Sequence, residues 1–143
     1  MAGYSKTPLA QKLGIKEGHT LALLSAPADF ERTLGKLPAG VRVVQAIGKP
    51  GSIDVAVVFT KSRKELEKQF AKVAAAINPN GGMWVAWPKK ASGVATDMTE
   101  NIVREIALPK GLVDNKVCAI DETWSGLRLV WRVENRPKRR SKT

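Results

Sequence analysis

The chain has 143 residues, of which 43% are hydrophobic and 26% charged, and its formal net charge is +11. This size suits one domain around one core, and this composition excludes wholesale disorder. No run approaches the ~18 apolar residues of a membrane span. Residues 1–14 (MAGYSKTPLAQKLG) lack the apolar stretch of a signal peptide, so a cytoplasmic protein without membrane contact is expected. Cys118 is the only cysteine and His19 the only histidine, which excludes an internal disulfide and a Cys/His zinc site; no metal is expected.

Thr7-Pro8-Leu9 predicts a short helix, with Thr7 as N-cap and Pro8 in the first helical position, closed by Gly14. Residues 19–24 (HTLALL) form an apolar run suited to a buried strand. Pro27 breaks it, and Phe30, Leu34 and Leu37 mark one face of a second helix. Residues 41–47 (VRVVQAI) predict a strand at the sheet's rim, because Arg42 and Gln45 interrupt its β-branched run.

Residues 53–59 (IDVAVVF) are apolar on both faces after Asp54, as in a central parallel strand. Ser62-Arg63-Lys64-Glu65 is a capping box. The helix it opens places Leu66, Phe70, Val73, Ala74 and Ile77 on one face. Asn78-Pro79-Asn80-Gly81-Gly82 is expected to be a loop, followed by a second central strand at 83–87 (MWVAW). Asp97 and Glu100 repeat the capping signal ahead of Ile102, Val103 and Ile106, and Pro109 and Gly111 end that helix. Residues 116–120 (KVCAI) predict a strand. The connection 121–126 is too short for a crossover helix, so the last strand, 127–133, must run antiparallel to it. Leu127, Leu129, Trp131 and Val133 would share one of its faces, with Arg128 and Arg132 on the other.

This alternation predicts an open, doubly wound α/β sheet of about six strands, mostly parallel with the last antiparallel. Residues 1–135 are expected to form a single domain and 136–143 a disordered basic tail. The element order resembles the class I methyltransferase fold: strand 53–59, its helix, Asn-Pro-Asn-Gly-Gly and strand 83–87 are similar to that family's late strand–helix–Pro-Gly-Gly–strand unit. The resemblance is pared down, because only residues 48–52 separate the strands at 41–47 and 53–59. The motifs 87–93 (WPKKASG) and 118–126 (CAIDETWSG) resemble a family of small bacterial proteins grouped as a domain of unknown function. That resemblance implies a fold and a bacterial cytoplasmic setting, without an activity.

Ligands of such sheets bind beyond the C-terminal ends of the parallel strands. Four segments belong there: 25–27, 60–62, 88–93 and 121–126. A methyltransferase places an acidic–glycine turn after its first strand, whereas 25–30 (SAPADF) has no glycine and is expected to fill the cofactor's space. The second strand ends in Ile47-Gly48-Lys49, without the acid that would hold a ribose. No cofactor is therefore expected, S-adenosylmethionine included. His19 starts the first strand at the far end of the sheet, so it cannot serve Ser92 or Ser125, and no catalytic residue is assigned. Adjacent Asp121 and Glu122 point apart in an extended segment and make a poor acid/base dyad. Cys118 is expected to be a buried, inert thiol, and Trp84, Trp87 and Trp131 to be core.

One constellation stands out: Lys89, Lys90, Ser92, Asp121, Glu122 and Trp124. Two readings fit it, a loop-to-loop lock in which Lys89 or Lys90 pairs with Asp121 or Glu122, and a site for a small anionic ligand or a protein partner. Arg136, Lys138, Arg139, Arg140 and Lys142 could contact phosphate, giving weak nonspecific nucleic-acid binding. The expectation is thus a non-enzymatic binding domain. The alternatives are a divergent enzyme, methyltransferase-like or acting on a small anionic substrate, and a nucleic-acid-associated accessory protein.

Overall fold

The computed structural model describes residues 7–135; the basic segment from Arg136 to Lys142 lies outside the described residues. Its central unit follows directly from sequence. Strand β3 (Ile53–Phe59) is buried along its length except at Asp54, as an apolar strand covered on both faces must be. Helix α3 (Arg63–Ala76) begins where the capping box places it, with the Ser62 hydroxyl accepting from the Glu65 N–H at 3.3 Å. It buries Leu66, Phe70, Val73 and Ala74 against the sheet.

Strand β4 (Ile77–Pro88) departs from expectation, since residues 78–82 belong to the strand instead of forming a separate loop. Ile53 lies opposite Ile77 but Val55 lies opposite Gly82, so two steps along β3 match five along β4, and the extra residues bulge. Glycine makes this return possible: a Cβ on Gly81 would fall 2.4 Å from the Asp54 carbonyl oxygen.

Around this unit stand β1 (Thr20–Leu24), β2 (Arg42–Val44), β5 (Leu112–Ala119) and β6 (Trp124–Trp131). The six-stranded sheet has the order β2-β1-β3-β4-β6-β5. Contacts among β2, β1, β3 and β4 are parallel, and β6 is antiparallel to both β4 and β5, as predicted. Alternating side chains supply two cores. Helices α3 and α4 (Glu100–Ala107) pack on one face, over Ala56, Val58, Met83, Val85, Leu127 and Leu129. Helices α1 (Leu9–Lys12) and α2 (Phe30–Leu34) pack on the other, over Leu21, Leu23, Val55, Val57, Trp84 and Ala86.

Several boundaries are corrected: β2 ends at Val44 instead of 47, β5 starts at Leu112 instead of 116, and β6 starts at Trp124 instead of 127. Pro8, not Thr7, occupies the N-cap of α1, and no side chain caps it. Thr99 caps α4 by accepting from Ile102 N–H at 3.1 Å, so Asp97 is left to serve another helix. Strand β6 stops at Trp131; Val133 is 75% exposed in a single 3-10 turn and shares no buried face. No helix among the described residues is long and apolar enough to cross a membrane.

Candidate ligand crevice

Strands β1, β3, β4 and β5 all end at one edge of the sheet, which brings the four expected segments to one side. At the end of β1 the chain turns through Ser25, the one described non-glycine residue with positive φ, at 59°. A left-handed residue is what this turn needs, and serine here adopts the conformation that composition would assign to glycine. The Phe30 N–H then donates to the Pro27 carbonyl, and α2 starts. Contrary to the expectation that 25–30 fills the space, a cavity of about 280 Å³ opens here, lined by Leu23, Ser25, Ala26, Pro27, Glu31 and Gln45 among others. Gln45, just past β2, stands where the sequence offered no acid. The cavity joins an apolar wall to a hydroxyl, a carboxylate and an amide.

A second cavity of about 560 Å³ lies at the end of β4. Trp87, Pro88, Lys89, Lys90, Met98 and Ser125 line it, with Asp97, Thr99 and Glu100 from the approach to α4. Of the predicted constellation, only Lys89 and Lys90 border this space. Ser92 is turned inward, its hydroxyl donating to the Lys89 carbonyl at 2.7 Å and accepting from Val94 N–H. Trp124 packs edge-on against Phe59, ring centroids 5.0 Å apart, and Phe59 in turn against Phe30 at 4.8 Å. Glu122 is exposed.

The lock exists in a different form from the one expected. The Lys89 ammonium donates to the main-chain carbonyl of Asp121 at 2.7 Å, and the Lys89 N–H donates to the Thr123 carbonyl, also at 2.7 Å. The Asp121 carboxylate instead accepts from the Thr123 and Trp124 N–H groups, each at 2.8 Å, which folds its own loop. No ion pair joins Lys89 or Lys90 to Asp121 or Glu122 among the described residues.

Cys118 is also corrected: it lies half-buried on the edge strand β5, between exposed Val117 and Ala119. Burial pushes its thiol pKa up, while Lys12 and Lys116 pull it the other way. Trp84 and Trp87 are core, and the Trp84 indole N–H donates to the Leu13 carbonyl at 3.0 Å. Trp131 is half-buried, and its indole nitrogen has no partner among the described residues. No cluster of His, Cys, Asp and Glu that could hold a metal ion occurs among the described residues.

The fold is a methyltransferase-like Rossmann fold. A S-adenosylmethionine-dependent methyltransferase from Aquifex aeolicus superposes with a TM-score of 0.62 at 13% identity, over 85% of this chain and 86% of that one. The fibrillarin pre-rRNA processing protein of Methanococcus jannaschii superposes at 0.57 and 11% identity, over 89% of this chain and 70% of that one. The Bacillus subtilis tRNA methyltransferase TrmK superposes at 0.52 and 10% identity, over 91% and 68%. No family model matches the sequence, and no curated protein matches it. The expectation of a non-enzymatic binding domain is corrected by two findings. Solved structures sharing this fold are repeatedly methyltransferases by name, and the crevice thought to be blocked is open.

Proposed function

We propose that the chain is an enzyme of the methyltransferase type, binding S-adenosylmethionine at the end of β1 and a small anionic acceptor at the end of β4. The cavity beside Ser25 is the observation that carries this reading. Its donor set suits a nucleoside-bearing ligand. The Gln45 amide oxygen and the Glu31 carboxylate can accept from ribose hydroxyls, Ser25 can serve either way, and Leu23, Ala26, Pro27 and Phe30 offer an apolar bed for a ring. When bound, S-adenosylmethionine supplies an electrophilic methyl group on a sulfonium sulfur.

The rest of the reading concerns this chain's own residues. Lys89 and Lys90 would draw an anionic acceptor to the larger cavity, and Trp87 and Met98 would keep water from its floor. The ends of β1 and β4 stand two strand spacings apart, roughly 10 Å, close enough for one reaction to span both spaces. The fold resemblance at low identity supports this reading by analogy, and the site residues supply the chemistry.

Calorimetric titration with S-adenosylmethionine and S-adenosylhomocysteine tests it. Saturable binding in the micromolar range is expected, weakened about tenfold in Gln45→Ala by loss of an amide that accepts from a hydroxyl. Absence of saturable binding of either compound at near-millimolar concentration would overturn the proposal.

A further inference from the structure

A third cavity, of about 290 Å³, lies at the opposite end of the sheet from the crevice. It is built by the residues before β1 (Gly14, Lys16, His19), the starts of β3 and β4 (Asp54, Asn78, Asn80, Gly81) and Arg128 from the middle of β6. Arg128 is its unusual member. Glycine beneath it makes room: a Cβ on Gly82 would fall 2.6 Å from the guanidinium Nε. The side chain therefore lies flat over β4, half-buried, with no hydrogen-bond or ion-pair partner among the described residues. Burial pushes its pKa below the usual arginine range. A guanidinium carries five N–H donors in a fixed fork, and those of Arg128 face the cavity, where an entering acceptor can reach them.

Its neighbours present further donors. The Nδ1 of His19 accepts from the Lys16 N–H at 3.1 Å, which leaves Nε2 as the ring's donor atom in the neutral form. The Lys16 ammonium is exposed at the rim. Asp54 is the one acid lining the cavity, and both its oxygens are engaged. One accepts from Thr20 N–H at 2.8 Å, the other from the Asn78 amide at 3.5 Å. Asp54 is thus spent on bracing β1 and the β4 bulge, and its charge is not paired with Arg128.

We propose that this cavity is an oxyanion site, taking a carboxylate or phosphate group on the Arg128 guanidinium, with Lys16 and His19 as secondary donors. Planar bidentate contact with such a group is what arginine's fork provides and a lysine cannot. The site stands at the other end of the sheet from the methyl-transfer crevice and does not depend on that reading. A small ligand's anionic end or an acidic side chain of a partner would present the same chemistry.

The test uses the full chain, with inorganic phosphate and acetate as probes and sodium chloride as the reference at matched ionic strength. His19 is the only histidine, so its ring resonances in an NMR titration report this cavity alone. Phosphate or acetate is expected to shift them saturably and raise the melting temperature beyond the chloride reference. The probe that saturates at the lower concentration distinguishes phosphate from carboxylate as the natural group. Arg128→Gln should weaken binding at least tenfold, whereas Lys110→Gln, which removes one charge elsewhere, should leave it intact. If Arg128→Gln fails to fold, Lys16→Gln, at an exposed position, should still weaken binding several-fold. Unmoved His19 resonances, or equal losses in the arginine and Lys110 variants, would overturn the proposal in favour of bulk attraction to a basic protein.

Discussion

Asp97 caps a helix 34 residues before it in the chain: its Oδ1 accepts from the Arg63 N–H at 2.8 Å, at the start of α3. The contact is reinforced by the Thr96 hydroxyl, which donates to the Lys61 carbonyl at 2.7 Å, and by the Asp97 N–H, which donates to the same carbonyl. The carboxylate also lies at the positive end of the helix dipole. Asp97→Ala should therefore cost about 1 kcal/mol, in the range of a lost N-cap. Asp97→Asn, which keeps an acceptor and loses only the charge, should cost less than half of that. Urea unfolding of both variants, with an unchanged slope, checks the order.

The Lys89 lock predicts an unusual mutational pattern. Because the ammonium holds a carbonyl, Lys89→Met should lose about 1–2 kcal/mol whatever side chain stands at position 121. Exchanging the charges in a Lys89→Glu, Asp121→Lys double variant should not rescue stability. It should be worse than either single change, since the Asp121 carboxylate also folds its own loop through Thr123 and Trp124. Recovery in that double variant would show that a salt bridge forms after all.

Gly81 and Gly82 should respond differently to alanine. At Gly81 the new methyl meets main chain, the Asp54 carbonyl at 2.4 Å, so the bulge itself must move. At Gly82 it meets the Arg128 side chain, which can swing away. Gly81→Ala is expected to cost about 2–3 kcal/mol and Gly82→Ala about half as much, with the second loss shrinking when Arg128 is already methionine. Thermal melts of the four variants decide the matter.

Cys118 offers a pH-dependent test. A thiol whose pKa is raised by burial holds less thiolate than a free one at any pH below that value. Alkylation at pH 8 should accordingly run several-fold slower than for a cysteine in an unfolded peptide, and should accelerate as pH rises further. Lys116→Gln should slow it again, because that ammonium favours the thiolate. A rate equal to the unfolded control would place Cys118 in open solvent.

Much of the fold was legible because the responsible signals are local. Ser62 and Glu65 mark the start of α3 in sequence and form the predicted bond, and the apolar run 53–59 is a central strand. The Asp121–Gly126 spacing forced the antiparallel return of β6. What was missed is tertiary. Asn78 to Gly82 have turn composition, yet Gly81 is glycine because β3 passes within contact distance. Asp97 has cap chemistry, but the helix it caps is chosen by folding, and Thr99 takes the nearer one. The open crevice turns on one left-handed serine, whose φ no composition reveals. Alternation in the last strand sets Arg128 on the face opposite Leu127 and Leu129; only the pairing of Arg128 with Trp84, beside Gly82, lays it over the β4 backbone.

Strand β2 is three residues long, lies at the margin of the sheet and pairs only with β1. Its outward side has no neighbour, and its residues are no better than half-buried. It is thus the segment of the sheet whose detachment costs least, and its amides should exchange with solvent protons ahead of those in β3 or β4. Gln45, the polar wall of the crevice, directly continues this weakest strand. A molecule that grips Gln45 must therefore hold β2 shut, and its binding energy would appear as slowed exchange at Arg42 and Val44, the residues whose amides face β1. Occupancy of the crevice would be recorded in the lifetime of two peptide hydrogens, whatever chemistry follows.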